Sequence, residues 1–136
     1  MFTLLSATAT LTKKIKIGQI VTCNSYRNHA LLAKMVSTLD VISNGKMELG
    51  TGAGWYEKEY FAYDYFLSHR ERIKQLEESL SIIKQMWTKR SASFEGHYYE
   101  IKDAICNPKP IQKPHPAIMV GWFWEEVSVK GCRKTC

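Results

Sequence analysis

The chain alternates between short β-branched runs and longer stretches in which apolar residues return every three or four positions. Residues 15–22 (Ile-Lys-Ile-Gly-Gln-Ile-Val-Thr) are short and mostly apolar, which predicts a buried strand. A polar loop, 23–28, follows. From 29 to 43, Leu32, Met35, Val36, Leu39 and Ile42 share one helical face. Asn28 is placed to cap that helix, and Gly45 suits the left-handed position past its end. Residues 47–51 predict a second strand that runs into Gly50-Thr51-Gly52-Ala53-Gly54. After an aromatic, irregular stretch at 55–66, Ile73, Leu76, Leu80, Ile83 and Trp87 mark one face of a long helix over 70–88, opposite Lys74, Glu77, Glu78 and Lys84.

The remaining elements are smaller. Residues 94–99 carry turn chemistry between β-prone residues and predict a hairpin. All four prolines fall within 107–116, an extended connection, and residues 117–120 form a third buried strand. Residues 1–12 read as the last turns of a helix whose beginning is absent. Strand, helix, strand in this order is a βαβ unit with parallel strands and a right-handed crossover. The expected class is therefore α/β with about three core parallel strands, flanking helices and a small hairpin insertion. A parallel sheet needs helices on both faces, and these elements are too few to supply them. That mismatch points to a fragment.

Composition narrows the function classes. A chain of 136 residues suits one domain, and 45% hydrophobic content supports a core. No apolar run approaches the roughly 20 residues that a spanning helix needs, and the N-terminus lacks a basic region and cleavage site, so neither a membrane nor a secretory route is expected. Cys23, Cys106, Cys132 and Cys136 form no C-x-x-C pair, so neither a metal site nor a disulfide framework is expected, and a cytoplasmic location follows. The net charge of +6 is dispersed along the chain, so a nucleic-acid partner is not expected.

Two segments could carry chemistry. Glycines directly after a strand let backbone N–H groups approach a planar or anionic ligand, although 50–54 lacks the G-x-G-x-x-G spacing of a dinucleotide fingerprint. Thr22-Cys23-Asn24-Ser25 stands at the C-terminal end of the first strand, where ligands gather in parallel α/β folds. Either segment can equally be an ordinary turn. His29, His69, His97 and His115 show no metal spacing and are expected at the surface or at caps. Glu77 and Glu78 are expected to be solvated or paired with Lys74. The aromatic cluster from Trp55 to Phe66 reads as packing.

Taken in order, several phrases resemble the bacterial luciferase-like monooxygenases: 17–22 (Ile-Gly-Gln-Ile-Val-Thr), 26–34 (Tyr-Arg-Asn-His-Ala-Leu-Leu-Ala-Lys), 39–43, 48–55 (Glu-Leu-Gly-Thr-Gly-Ala-Gly-Trp), Leu76-Glu77-Glu78, 94–99 and the proline segment 108–116. The resemblance runs from about residue 2 to residue 121 and lies nearest the branch using the deazaflavin coenzyme F-420, with FMN users as close relatives. It implies a partial (β/α)8 TIM barrel, the cofactor at the strand C-termini, a small-molecule substrate, and hydride transfer or monooxygenation. Carried over by position, Ile20 and Val21 match the bulged strand end that backs the cofactor ring, Cys23 and Asn24 the adjoining polar contacts, and Ala53 and Gly54 the backbone that meets the ring and ribityl chain. The acid–base residue would lie outside the chain.

The sequence also departs from the pattern. His29 stands where Pro is usual, and Asn44 and Asp64 stand where Gly is usual. After Gly121 the family continues Gly-x-Gly, whereas this chain reads Trp-Phe-Trp-Glu-Glu. Shifting those codons by one base restores Gly-Gly, so residues 122–136 are expected to be a frameshifted tail behind a partial barrel domain over 1–121. Such a chain is either a weakly active or inactive oxidoreductase fragment, or a non-enzymatic remnant that self-associates, for instance as a homodimer, or complements another barrel fragment.

Overall fold

The computed structural model describes residues 1–65 and 67–121; the expected tail at 122–136 lies outside the described residues. The chain runs α1 (Phe2–Leu11), β1 (Ile17–Gly18), β2 (Thr22–Cys23), α2 (His29–Ile42), β3 (Met47–Gly52), α3 (Glu57–Ala62), α4 (His69–Thr88), β4 (Ala92–Glu95), β5 (Glu100–Ala104) and β6 (Ile118–Gly121), with a 3-10 turn at Asn24–Tyr26 before α2. The architecture is α/β, with a parallel sheet in which β3 is central.

The expected first strand is present but broken. Ile17 faces Met47 and Gly18 faces Glu48, an offset of thirty, while Thr22 faces Thr51 and Cys23 faces Gly52, an offset of twenty-nine. One extra residue therefore sits between the two ladders, which makes residues 19–21 a β-bulge. β1 and β2 run end to end along one edge of β3, and β6 pairs with the other edge from Leu49–Ile118 to Gly52–Gly121. Gly50 permits the close approach at the bulge: a Cβ there would lie 1.8 Å from the Gln19 carbonyl oxygen. The Ile20–Val21 peptide is cis.

The core lies between the sheet and a layer formed by α1, α2 and α4. Val36, Leu39, Met47, Leu49, Ile82, Ile83 and Met86 are all buried there. Trp87 joins the two long helices, its Nε1–H donating to the Ala33 carbonyl at 2.9 Å. Helix α2 is capped at its start by Asn28, whose Oδ1 accepts from the Leu31 N–H. Its end differs in detail from expectation. Asn44 occupies the left-handed C′ position at φ +55, and Gly45 (φ +77) follows, its N–H donating to the Asp40 carbonyl. Asp64 is also left-handed, at φ +63. Asn and Asp tolerate that region better than other non-glycine residues, so both positions are accommodated without glycine.

Helix α4 starts one residue earlier than its apolar stripe suggests, because Ser68 and Glu71 form a capping box. The aromatic stretch is not wholly irregular: α3 lies within it and buries Tyr60. The hairpin is wider than residues 94–99, with β4 and β5 antiparallel around the turn.

Two carboxylates, the buried Asp40 and the half-buried Glu78, organise the connections. Asp40 on α2 accepts from the backbone N–H groups of Ile111 and Gln112 and from the Gln112 amide, which pins the proline segment under β3. Glu78 on α4 accepts the N–H groups of His97, Tyr98 and Tyr99 at 2.8, 2.9 and 3.0 Å, so it grips the hairpin turn in place of the expected ion pair. Burial pulls the Glu78 pKa upward, but these three bonds prevail and leave it below the usual carboxylate range. His29 is likewise interior, its ring centroid 3.7 Å from that of Tyr99.

Candidate functional site

An open cleft of about 640 Å³ lies at the C-terminal ends of the strands. The bulge supplies Ile20 and Val21, the segment after β3 supplies Ala53, Gly54 and Trp55, and the end of β6 supplies Val120 and Gly121. One face of α4 forms the opposite wall through Ile73, Leu76 and Leu80. Convergence at this place follows from topology, since all parallel strands end together and the loops behind them form one surface. The floor is backbone and small side chains: a Cβ on Gly121 would come within 2.8 Å of Val21 Cγ1, and one on Gly52 within 3.0 Å of the Gly121 carbonyl oxygen.

Four of the six positions carried over from the resemblance meet here: Ile20, Val21, Ala53 and Gly54. Cys23 and Asn24 do not line the cleft. Cys23 Sγ is 3.0 Å from the Tyr60 hydroxyl, and Asn24 is buried with its amide donating to Tyr99 Oη at 3.4 Å. Ile20 is 88% exposed, an unusual state for an isoleucine at a strand end and one that leaves its side chain available to a ligand.

The α4 wall was not marked as site-forming in the sequence, because an Ile/Leu stripe at helical spacing looks the same whether it faces a core or a cleft. Among the described residues, His69 and Glu77 are the ionisable side chains on the lining. Behind the loop, Tyr60 is a hub. Its hydroxyl donates to the Ala53 carbonyl at 2.6 Å and lies 3.0 Å from Ser25 Oγ. Burial, first, and the Cys23 contact push the Tyr60 pKa up to about 12, so the phenol stays protonated and remains a donor at neutral pH. No group of three or more metal-ligating side chains occurs among the described residues.

A profile of the family described as luciferase-like monooxygenase matches residues 1–121. The chain belongs to the luciferase-like monooxygenase family. Among curated members, it is 33% identical over 111 residues to an FMNH(2)-dependent dimethylsulfone monooxygenase of Pseudomonas putida, covering 81% of this chain and 30% of that protein. It is 34% identical over 108 residues to an F420-dependent glucose-6-phosphate dehydrogenase of Amycolatopsis mediterranei, covering 78% of this chain and 32% of that one. The solved monooxygenase RslO1 from Streptomyces bottropensis superposes with a TM-score of 0.79 at 24% identity, over 88% of this chain and 36% of its own. The F420-dependent tetrahydromethanopterin reductase of Methanopyrus kandleri also gives 0.79, at 22% identity, over 89% and 38%. This luciferase-like chain thus spans about a third of the length of these relatives. Its three parallel strands and helical layer agree with a partial (β/α)8 barrel, and the relatives divide between flavin and deazaflavin cofactors.

Proposed function

We propose that this chain forms the ring-binding part of a flavin- or deazaflavin-dependent oxidoreductase, with coenzyme F-420 as the preferred cofactor and FMN as the alternative. The observation that carries the reading is the shape of the cleft floor. Val21, Gly52 and Gly121 leave a surface with no room for added side chains, which suits a flat, largely apolar ring laid against backbone. The cleft volume of about 640 Å³ falls in the range of roughly 300–1,000 Å³ usual for small-molecule and cofactor sites.

Ile20 and Val21 would back the ring, Ala53 and Gly54 would meet it through their backbone, and Ile73, Leu76 and Leu80 would exclude water from its open side. When bound, the cofactor supplies the hydride or oxygen chemistry, while the protein orients it and keeps the site dry. A small-molecule substrate would enter over the same opening, past His69 and Glu77.

Titration of the purified chain with F-420 and with FMN, followed by fluorescence quenching at micromolar protein, tests the reading. Saturable quenching by F-420, tighter than by FMN, is the expected result. Absence of quenching by either cofactor overturns it. The second reading, a non-enzymatic piece that associates with itself or with another barrel fragment, draws on the sheet edges: among the described residues β6 and β1–β2 each pair only with β3.

A further inference from the structure

The loop at residues 52–54 has no regular hydrogen-bond ladder of its own beyond Gly52, yet two consecutive carbonyls in it are engaged by buried side chains. Tyr60 on α3 donates its hydroxyl to the Ala53 carbonyl at 2.6 Å, and Arg72 on α4 donates Nη1 to the Gly54 carbonyl at 3.3 Å. The guanidinium carbon lies 4.4 Å from the centroid of the Tyr60 ring, so the two donors are stacked on one another. Both residues are only 4% exposed. Neither lines the cleft; they sit behind the loop, whose Ala53 and Gly54 line it in front.

Two features separate this arrangement from ordinary packing. Arg72 is a buried cation with no carboxylate in ion-pair reach among the described residues, and its Nε has no hydrogen-bond partner. Such burial is expensive, and among the described residues the Gly54 carbonyl and the tyrosine ring are what offset the charge. Gly54, moreover, is left-handed at φ +79, and a Cβ on it would come 2.3 Å from Tyr60 Oη. Loop conformation and clamp therefore fit only each other.

We propose that Tyr60 and Arg72 are positioning residues: a stacked phenol–guanidinium clamp that holds the Ala53 and Gly54 carbonyls away from the cleft and so presets the backbone against which a flat cofactor ring lies. The link to the cofactor rests on the function proposed above, whereas the clamp itself does not. Preorganisation of this kind lowers the ordering cost of binding and appears in affinity without any direct contact to the ligand.

The test uses the full chain and three variants, Tyr60→Phe, Arg72→Lys and Arg72→Met. Tyr60→Phe keeps the ring and removes only the donor to Ala53. Backbone ¹⁵N relaxation without cofactor is the first readout. Order parameters at Ala53 and Gly54 are expected to fall from about 0.85 to below about 0.6, while those of 47–51 hold. Unchanged values in Tyr60→Phe and Arg72→Lys overturn the clamp. Should Arg72→Met fail to fold, Tyr60→Phe decides alone.

Cofactor titration is the second readout, made well below each variant's own unfolding midpoint, with a tenfold or greater rise in Kd expected. A loosened loop with unaltered Kd overturns the link to the cofactor. Wild-type protein that binds neither F-420 nor FMN defeats the proposed function instead, and the relaxation data still decide the clamp.

Discussion

Asn44 and Asp64 show how single positions reveal backbone geometry. Both adopt positive φ, so each holds a left-handed turn with a short polar side chain. His29 is a different case. It opens α2, is buried, and packs its ring on Tyr99. Its Nδ1 has no hydrogen-bond partner among the described residues, and burial lowers its pKa below the ordinary 6.5, against an upward pull from Glu78. The folded state thus prefers the neutral imidazole. Its contribution is fully present above about pH 6.5 and is lost as the pH falls below that value through the folded pKa, because the unfolded chain takes up the proton first. Thermal unfolding between pH 7.5 and 5 should show a falling midpoint in the wild type and a flatter profile in His29→Phe, which keeps an aromatic ring against Tyr99. Equal slopes for the two proteins would refute this account.

Elements here are joined by carboxylates more than by ion pairs. Among the described residues the one salt bridge is Lys16–Glu48, at an exposed position where such pairs contribute little. Asp40, fully buried, instead satisfies two backbone donors and an amide of the proline segment, and Gln112 passes the connection to the Met47 carbonyl. That network delivers the chain from the hairpin to β6, and β6 closes the cleft floor. Replacing Asp40 by Ala should cost about 3 kcal/mol, because charged hydrogen bonds are lost and their donors stay buried. Urea unfolding measures it; a loss under about 1 kcal/mol would show that the segment is held by other contacts. The same scale shows why element boundaries were partly hidden in the sequence. The helix at 29–42 and the strand at 47–52 follow directly from periodicity and capping. The break in the first strand does not, since Gln19-Ile20-Val21 continues the apolar run unaltered and only registry with β3 exposes the extra residue. Helix α3 was likewise masked, because aromatic residues favour strands as much as helices and its stability comes from Tyr60 packing inward.

For the whole molecule, an open parallel sheet carries a consequence independent of any cofactor. Both outer edges lack a partner strand among the described residues, and Ile20, on the β1–β2 edge, is 88% exposed. Unpaired edges next to apolar surface favour association. Sedimentation velocity over a rising concentration series should show the sedimentation coefficient increasing; a constant monomeric value would count against self-association. No helix among the described residues is long and apolar enough to cross a membrane. Sequence alone determined the class of the fold, the order of its main elements and the family, because periodicity, caps and ordered motifs are local properties carried by neighbouring residues. Four of the six positions taken from the resemblance came to the cleft, two from the bulge between β1 and β2 and two from the segment after β3. Tertiary structure alone decided that Cys23 and Asn24 turn away from it, that the apolar face of α4 forms its wall, and that Tyr60 and Arg72 stand behind the loop. Those facts depend on which surfaces meet across the sheet, and contacts between residues distant in sequence leave no mark on local pattern.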